Sequence, residues 1–307
     1  VADYRRTGAY EPAGNWSSFA TPVAAGSVGL LVQKASREGL FAGTSWPRGA
    51  NCLVKAVLIN SAVKLPYWHK GRPGKTDDHA VPLDYSQGSG ALDAVEASRH
   101  ISAGRHAGGE VPARGWDLNT LEFPAPAART YTMVIDEPAG GYITATVAWN
   151  RHYKKRYPFE HDIQKDSDLR LELWAAGPPG NRLLDYSDSR SDNVEHIRRR
   201  TEPGCTRYNL VVSFSRPPLN GSGCLYAAAW SVTEPPPKGP VWYDLNADGA
   251  VDERDLMKLL ENLLESMARP RRYYHGDIDE NGLFDLSDVQ QFMRHEGIRT
   301  RLGARKI

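Results

Sequence analysis

Apolar positions along the chain change rhythm twice. Residues 22–36 carry Val28, Leu30, Leu31 and Val32 and predict a helix ending at Gly39. Residues 47–62 open on Pro47, and Val54, Val57 and Leu58 follow at helical spacing, which predicts a second helix. From Trp116 onward strand patterns take over. Thr130–Ile135 alternates, Tyr142–Trp149 is rich in β-branched and aromatic residues, and Leu169–Trp174 alternates strictly. Arg207–Phe214 and Leu225–Val232 complete a set of short strands separated by Gly, Pro, Asn and Asp, the pattern of an antiparallel sandwich. Helical spacing then returns at Leu256, Leu259, Leu260, Leu263, Leu264 and Met267, and again at Val289, Phe292 and Met293.

Punctuation between these blocks suggests the boundaries. Residues 64–85 are polar and read as an exposed insertion loop; the competing reading is a metal site built from His69, Asp77, Asp78 and His79. Residues 100–115 are rich in Gly, Arg and His and read as a linker. Three consecutive prolines within residues 234–240 cannot be helical and favour a stiff spacer. The basic runs His152–Arg156 and Arg198–Arg200 read as solvated loops. A net charge of +1 argues against a nucleic-acid-binding face, and no apolar run is long enough to span a bilayer.

The last two strands are expected to form a hairpin through Arg216–Gly223. That places Cys224 at the turn and Cys205 at the open end, separated by about eight residues at ~3.3 Å each. A disulfide needs Cα atoms within about 7 Å, so no Cys205–Cys224 bond is expected.

Two stretches carry candidate chemistry. Residues 244–255 place Asp244, Asn246, Asp248, Asp252 and Asp255 at loop positions 1, 3, 5, 9 and 12, with Gly249 at 6 and the Ala250 carbonyl at 7. Residues 277–288 repeat the arrangement with Asp277, Asp279, Asn281, Asp285 and Asp288, Gly282 and the Leu283 carbonyl, offset by 33 residues. Alternating oxygens, a sharp glycine turn and a backbone carbonyl are the requirements of a calcium loop. Two calcium ions are therefore expected. Asp166, Asp168 and Asp192 could build a further calcium site in the β region, and ordinary turn aspartates are a reading of at least equal weight.

The other stretch is residues 14–30, where Ser17 and Ser18 precede Pro22 and a run of small residues. Proline suits the first position of a helix, and small residues let other backbone approach, so this helix is expected to be buried. A serine at its mouth has the positive dipole end beside it, a suitable place for a nucleophile that generates an oxyanion. A plain helix cap is the competing role.

This stretch resembles the serine motif of the subtilisin-like serine peptidases, Gly-Thr-Ser-x-Ala-x-Pro-x-x-Ala-Gly. Ser18-Phe19-Ala20-Thr21-Pro22 and Ala25-Gly26 match, while Trp16 and Ser17 replace Gly and Thr. Leu58–Ala62 resembles the segment that follows the serine helix. Residues 86–98 resemble the family's closing element, a Gly-x-Gly turn and then a short helix through Asp93 and Ala94. The resemblance implies that Ser18 is the nucleophile. Because the family's order is Asp, His, Ser and all histidines here follow Ser18, it also implies a longer protein whose Asp and His lie upstream, leaving this chain inactive alone.

The β block is similar to the jelly-roll domain that follows many secreted bacterial members, through Asp168-Leu169-Arg170-Leu171 and Asp192-Asn193-Val194-Glu195. The two loop–helix halves, without entering helices, resemble a dockerin, which implies a cohesin-type protein partner. Positions 10 and 11 of the loops, Glu253-Arg254 and Leu286-Ser287, depart from that family's common Ser/Thr pattern.

The expected fold class is thus multidomain. It comprises the C-terminal part of an α/β subtilisin-like domain over residues 1–103, an antiparallel jelly-roll β-sandwich over 116–233, the linker, and a small α module over 241–297. The expected function is a secreted or cell-surface serine endopeptidase with a calcium-dependent docking module, acting on protein or peptide. The competing class is a non-catalytic adhesion or docking protein with a vestigial peptidase part, which Trp16 favours.

Overall fold

The computed structural model describes residues 17–40, 47–65, 68–72, 75–135, 141–162, 164–177, 180–233, 243–245, 250–268, 276–278 and 284–294. Three helices open it: α1 (Ser17–Arg37), α2 (Ala50–Ser61) and α3 (Ala94–Ser102). Nine strands follow: β1 (Gly109–Val111), β2 (Arg114–Leu121), β3 (Ala128–Val134), β4 (Tyr142–Trp149), β5 (Asp168–Ala175), β6 (Arg182–Ser187), β7 (Val194–Arg200), β8 (Arg207–Arg216) and β9 (Cys224–Thr233). Helices α4 (Glu253–Ala268) and α5 (Leu286–Met293) end it.

The strands form a β-sandwich. One sheet runs β1-β3-β8-β5-β6 and the other β2-β9-β4-β7. Every pairing is antiparallel except β1 with β3. Between the sheets pack Tyr131, Met133, Leu169, Leu171, Tyr208, Leu210 and Val212 from one side, and Ile143, Val147, Trp149, Ile197, Tyr226 and Trp230 from the other. The indoles Trp116, Trp149 and Trp230 are fully buried. Each donates its N–H to a carbonyl, of Ile101, Ser167 and Pro112 respectively, which removes the cost of hiding a donor.

The second sheet is covered on its outer face as well. Leu31, Ala35, Cys52, Leu53, Ala56, Val57, Ala97 and Ile101 of the helices pack against Trp116, Leu118, Ala148, Ala227 and Ala229. Consequently all eight residues of β4 are buried: Ile143, Ala145, Val147 and Trp149 enter the sandwich core, and the alternate positions face the helices.

Several expectations need correction. Helix α1 begins at Ser17, so Pro22 lies inside it rather than at its first position. Proline cannot donate to the carbonyl four residues back, here that of Ser18, while the Thr21 hydroxyl donates to the Ser17 carbonyl at 2.8 Å. Nor is α1 buried all round. Only Ser27, Leu31 and Ala35 are buried, a single i, i+4, i+8 stripe, and Cβ atoms built at Gly26 and Gly29 would meet nothing within 4 Å.

The expected linker at 100–115 is part of the fold. Ile101 and His100 are fully buried, and β1 adds a parallel edge to β3. The expected β8–β9 hairpin is absent, because the chain crosses there from one sheet to the other. Both strands must line the same core from opposite sides. Cys52, Cys205 and Cys224 are free thiols. Arg198–Arg200 belongs to β7 rather than to a loop, and the Arg198 guanidinium sits 3.8 Å over the Tyr142 ring.

Residues 64–85 are not simply an exposed loop. Lys70 is buried and bonds Asp185 at 2.9 Å, and the His79 ring stacks on Tyr186 at 3.8 Å. This segment therefore docks on β6. At its far end, Gly90 takes φ +107°, and a Cβ there would lie 2.2 Å from the Val63 carbonyl oxygen. Only glycine permits the two hydrogen bonds between Val63 and Ala91, both 2.8 Å, that lead into α3.

The C-terminal module has a small core of its own, made by Tyr243, Leu259, Ile278 and Phe292. The proline-rich segment 234–240 lies outside the described residues.

Candidate functional site

The two predicted calcium loops share one hydrogen-bonding plan. In the first, Asp255 Oδ1 accepts from Leu245 N at 2.8 Å and Oδ2 from Asp252 N at 2.8 Å. In the second, Asp288 Oδ1 accepts from Ile278 N at 2.6 Å and Oδ2 from Asp285 N at 2.9 Å. Position 9 then caps the helix in both: Asp252 Oδ1 accepts from Arg254 N at 2.8 Å and Asp285 Oδ1 from Ser287 N at 2.7 Å. The bond to Ser287 N is the main reason the Asp285 carboxyl is held below its ordinary range.

Asp255 and Asp288 are fully buried. A carboxylate offers about four lone-pair directions, and these two N–H groups take one direction on each oxygen. Asp244, Ala250 and Asp277 are also among the described residues, whereas Asn246, Asp248, Asp279, Asn281 and Leu283 lie outside them. Within the described residues alone, no three His, Cys, Asp or Glu side chains converge as metal ligands.

Ser18 occupies the first turn of α1 and is exposed. Among the described residues no histidine or carboxylate is hydrogen-bonded to it. Trp16 lies outside the described residues.

The acidic site weighed in the β region is three carboxylates with different surroundings. Asp166, almost fully buried, faces an imidazole and two guanidinium groups: its Oδ2 lies 2.7 Å from His161 Nε2, 3.3 Å from Arg216 and 3.4 Å from Arg151. Asp168, on β5, is also buried, and its Oδ1 has no hydrogen-bond partner. Burial pushes its carboxyl up to about 6. Asp192 accepts from the Ser189 hydroxyl at 2.6 Å. A fourth acid, Glu195, was read only as part of a motif. It is fully buried and accepts from Ser189 N at 2.7 Å and from the Ser187 hydroxyl, and burial raises it to about 8. The four residues weighed as a metal site in the 64–85 segment do not converge. Asp77 bonds Arg72 at 2.8 Å, whereas the His79 Nδ1 faces the Tyr186 carbonyl at 2.9 Å.

A polar seam between the helices and the sheet escaped the sequence reading. The Thr146 hydroxyl lies 3.1 Å from Asn60 Oδ1 and 2.8 Å from His196 Nδ1, and Asn60 Nδ2 donates to the Ser231 hydroxyl at 3.1 Å. All four are buried, and burial, the leading cause, holds His196 well below its ordinary pKa. Its one sequence trace is the pair of threonines alternating with apolar residues in β4.

No family model matches the chain, and no curated protein matches it. Among solved structures, PliG, a periplasmic inhibitor of g-type lysozyme from Aeromonas hydrophila, aligns at 15% identity over 40% of this chain and 96% of its own, with a TM-score of 0.24. The Yersinia pseudotuberculosis-derived mitogen aligns at 10% identity over 42% and 92%, with a TM-score of 0.25. TmCBM61, solved with β-1,4-galactotriose, aligns at 11% identity over 39% and 88%, with a TM-score of 0.21. At these TM-scores the alignments carry no argument about what this chain does.

Proposed function

We propose that this chain belongs to a secreted serine endopeptidase and that its C-terminal module binds two calcium ions and docks the enzyme to a protein partner. The observation that carries this reading is the duplicated loop plan. Buried Asp255 and Asp288 each bridge two backbone N–H groups in the same way, 33 residues apart. Nothing in helix propensity calls for a buried carboxylate at both positions, whereas a hard cation facing the loop does. The dockerin resemblance then makes a cohesin-type domain the partner.

The peptidase half rests on the Ser18 motif and on the state of α1. Phe19, Val23 and Leu30 on it are exposed, and a cleft of about 440 Å³ between α1 and α2 is lined by Val28, Val32, Val54 and Leu58. An apolar helix left bare on most of its circumference fits one that packs inside a larger α/β domain. In that domain Ser18 would attack the scissile carbonyl, with a histidine as base and an aspartate orienting it. The β-sandwich, of jelly-roll type in this reading, buttresses the helices from beneath.

Calcium titration of the chain by isothermal calorimetry tests the first half; two sites are expected, and absence of calcium uptake overturns it. Fluorophosphonate labelling tests the second. The full-length enzyme is expected to be labelled at Ser18 and this chain alone is not. An intact, folded full-length protein that resists labelling favours the non-catalytic alternative.

A further inference from the structure

Where α2 ends, the polar seam opens into a cleft of about 190 Å³. Its floor is part of one cross-strand row on the helix-facing side of the sheet: Ser231 of β9, Thr144 of β4 and Arg198 of β7. Its walls are the last turn of α2 with the following residues, Asn60 to Lys64, and the start of α3 at Asp93 and Glu96.

The acids at this cleft are already engaged. Asp93 caps α3 by accepting from Glu96 N at 2.8 Å. Glu96 is bridged by Arg114 at 2.5 Å and by Arg99 at 3.5 Å. The cation at its centre is not matched by a carboxylate. Lys64 is 6% exposed; its Nζ donates to the Ser89 carbonyl at 2.7 Å, reaches the Ile59 carbonyl at 3.5 Å, and lies 4.8 Å over the Trp68 ring. Burial first, and then the charge of Arg198, pull Lys64 down to about 7. A buried ammonium held among carbonyls beside a guanidinium lacks its counter-charge.

Beside it, the Ser61 hydroxyl is buried, the residue being 6% exposed, and has no hydrogen-bond partner. Buried hydroxyls almost always have one. Asn60 next to it is held in place by Ser231 and Thr146, and neither bond reaches Ser61.

We propose that this cleft binds a small oxyanion, phosphate or a carboxylate, between the Lys64 ammonium and the Ser61 hydroxyl, with the Arg198 side of the sheet as its positive floor. The anion supplies the charge Lys64 lacks and the acceptor Ser61 lacks. The volume is enough for such a group with several waters, each of which takes ~30 Å³ in the liquid. Neither the calcium loops nor Ser18 takes part, so the proposal is independent of the function above.

The test is calorimetric titration and thermal melting of the chain with sodium phosphate and, separately, sodium acetate, against sodium chloride at matched ionic strength. A saturable, single-site effect from one or both anions is expected, and the arm that responds identifies the source. Ser61→Ala is expected to weaken binding about tenfold, the usual loss for one hydrogen bond to a charged group. It should leave the melting temperature in chloride unchanged, because the hydroxyl has no partner to lose. Lys64→Met should abolish binding; should that variant fail to fold, Ser61→Ala decides. Two results overturn the proposal: neither anion acts beyond chloride, or Ser61→Ala binds as tightly as the parent.

Discussion

Replacing Asp288 by alanine should uncouple α5 from the second loop, by an amount the hydrogen bonds fix. Its carboxylate accepts from Ile278 N at 2.6 Å and Asp285 N at 2.9 Å. Each hydrogen bond to a charged group contributes about 1.5–3 kcal/mol, so their joint loss costs about 3–6 kcal/mol. Among the described residues the module's core cluster has four buried apolar side chains, Tyr243, Leu259, Ile278 and Phe292. At about 1.5–3 kcal/mol each they leave little margin against that loss. Calcium adds a separable contribution: an ion present at 100 times its dissociation constant stabilises by about 2.7 kcal/mol, or roughly 100-fold in an opening equilibrium. Hydrogen–deuterium exchange of peptides from α4 and α5, with calcium or with EGTA, resolves the two. In the parent chain EGTA should speed exchange in both helices about 100-fold per site. Asp288→Ala should speed exchange in α5 even in EGTA, and calcium should restore less of it than in the parent. Asp255→Ala should act likewise on α4, because its two bonds of 2.8 Å repeat the plan. Unchanged α5 exchange in Asp288→Ala, with and without calcium, would refute the reasoning from these bonds. Parent exchange indifferent to calcium would refute the metal.

Three further outcomes follow from single observations. Gly90→Ala forces a Cβ to within 2.2 Å of the Val63 oxygen at φ +107°, and urea unfolding followed by tryptophan fluorescence should show a loss of about 2 kcal/mol or more; a loss below about 0.5 kcal/mol contradicts the close approach. His100 is buried with Nε2 2.9 Å from the Gly115 carbonyl, and burial lowers its pKa from 6.5 to about 4. The unfolded chain then binds the extra proton between those values, so stability falls as pH drops from 6.5 towards 4, by about 3 kcal/mol; His100→Gln should flatten that part of a urea-midpoint profile, and an unflattened profile assigns the effect elsewhere. Native thiol titration with an aromatic disulfide reagent should find one fast group, the half-buried Cys205, because Cys52 and Cys224 are buried and burial raises both thiols, Cys224 to about 12; three fast thiols would contradict the packing.

Strand positions were legible because β-branched and aromatic runs between turn residues have few other homes. Five expected strands fall on β3, β4, β5, β8 and β9 within two residues at either end. Their partners were not legible. Consecutive strands suggest a hairpin, yet the alternation that buries Tyr208, Leu210 and Val212 on β8 and Tyr226, Ala228 and Trp230 on β9 suits one sheet or two facing sheets equally. Strands β6 and β7 were unread because charge dominates them: Arg182 and Asp185 on one, Glu195 and Arg198–Arg200 on the other. Glu195 and His196 are nonetheless fully buried: Glu195 is held by Ser187 and Ser189 just before it, and His196 meets Thr146, 50 residues away. The hydrogen-bond plan of the two acidic loops was the opposite case. Their signal is local, one oxygen at each alternate position, and the described residues repeat the same bonds in each.

The helix-facing side of the second sheet explains why the helical layer sits where it does. Three successive cross-strand rows change character along the strands. Leu118, Ala227, Ala148 and Val194 form an apolar row; Trp116, Ala229, Thr146 and His196 a mixed one; Arg114, Ser231, Thr144 and Arg198 a polar one. Helix α2 follows the same gradient, with Cys52, Leu53, Ala56 and Val57 over the apolar part and Asn60 and Ser61 reaching the polar end. Apolar contact alone would let α2 slide, since small side chains such as Ala148, Ala227 and Ala229 present a smooth surface. Asn60 removes that freedom. Its amide engages Thr146 on β4 and Ser231 on β9 at once, and a shift by one strand row would leave buried polar atoms unpaired at about 1–3 kcal/mol each. The polar end is therefore a registration device, and the cleft beside it, with Lys64 and Ser61 unmatched, is the part of that gradient registration does not use up.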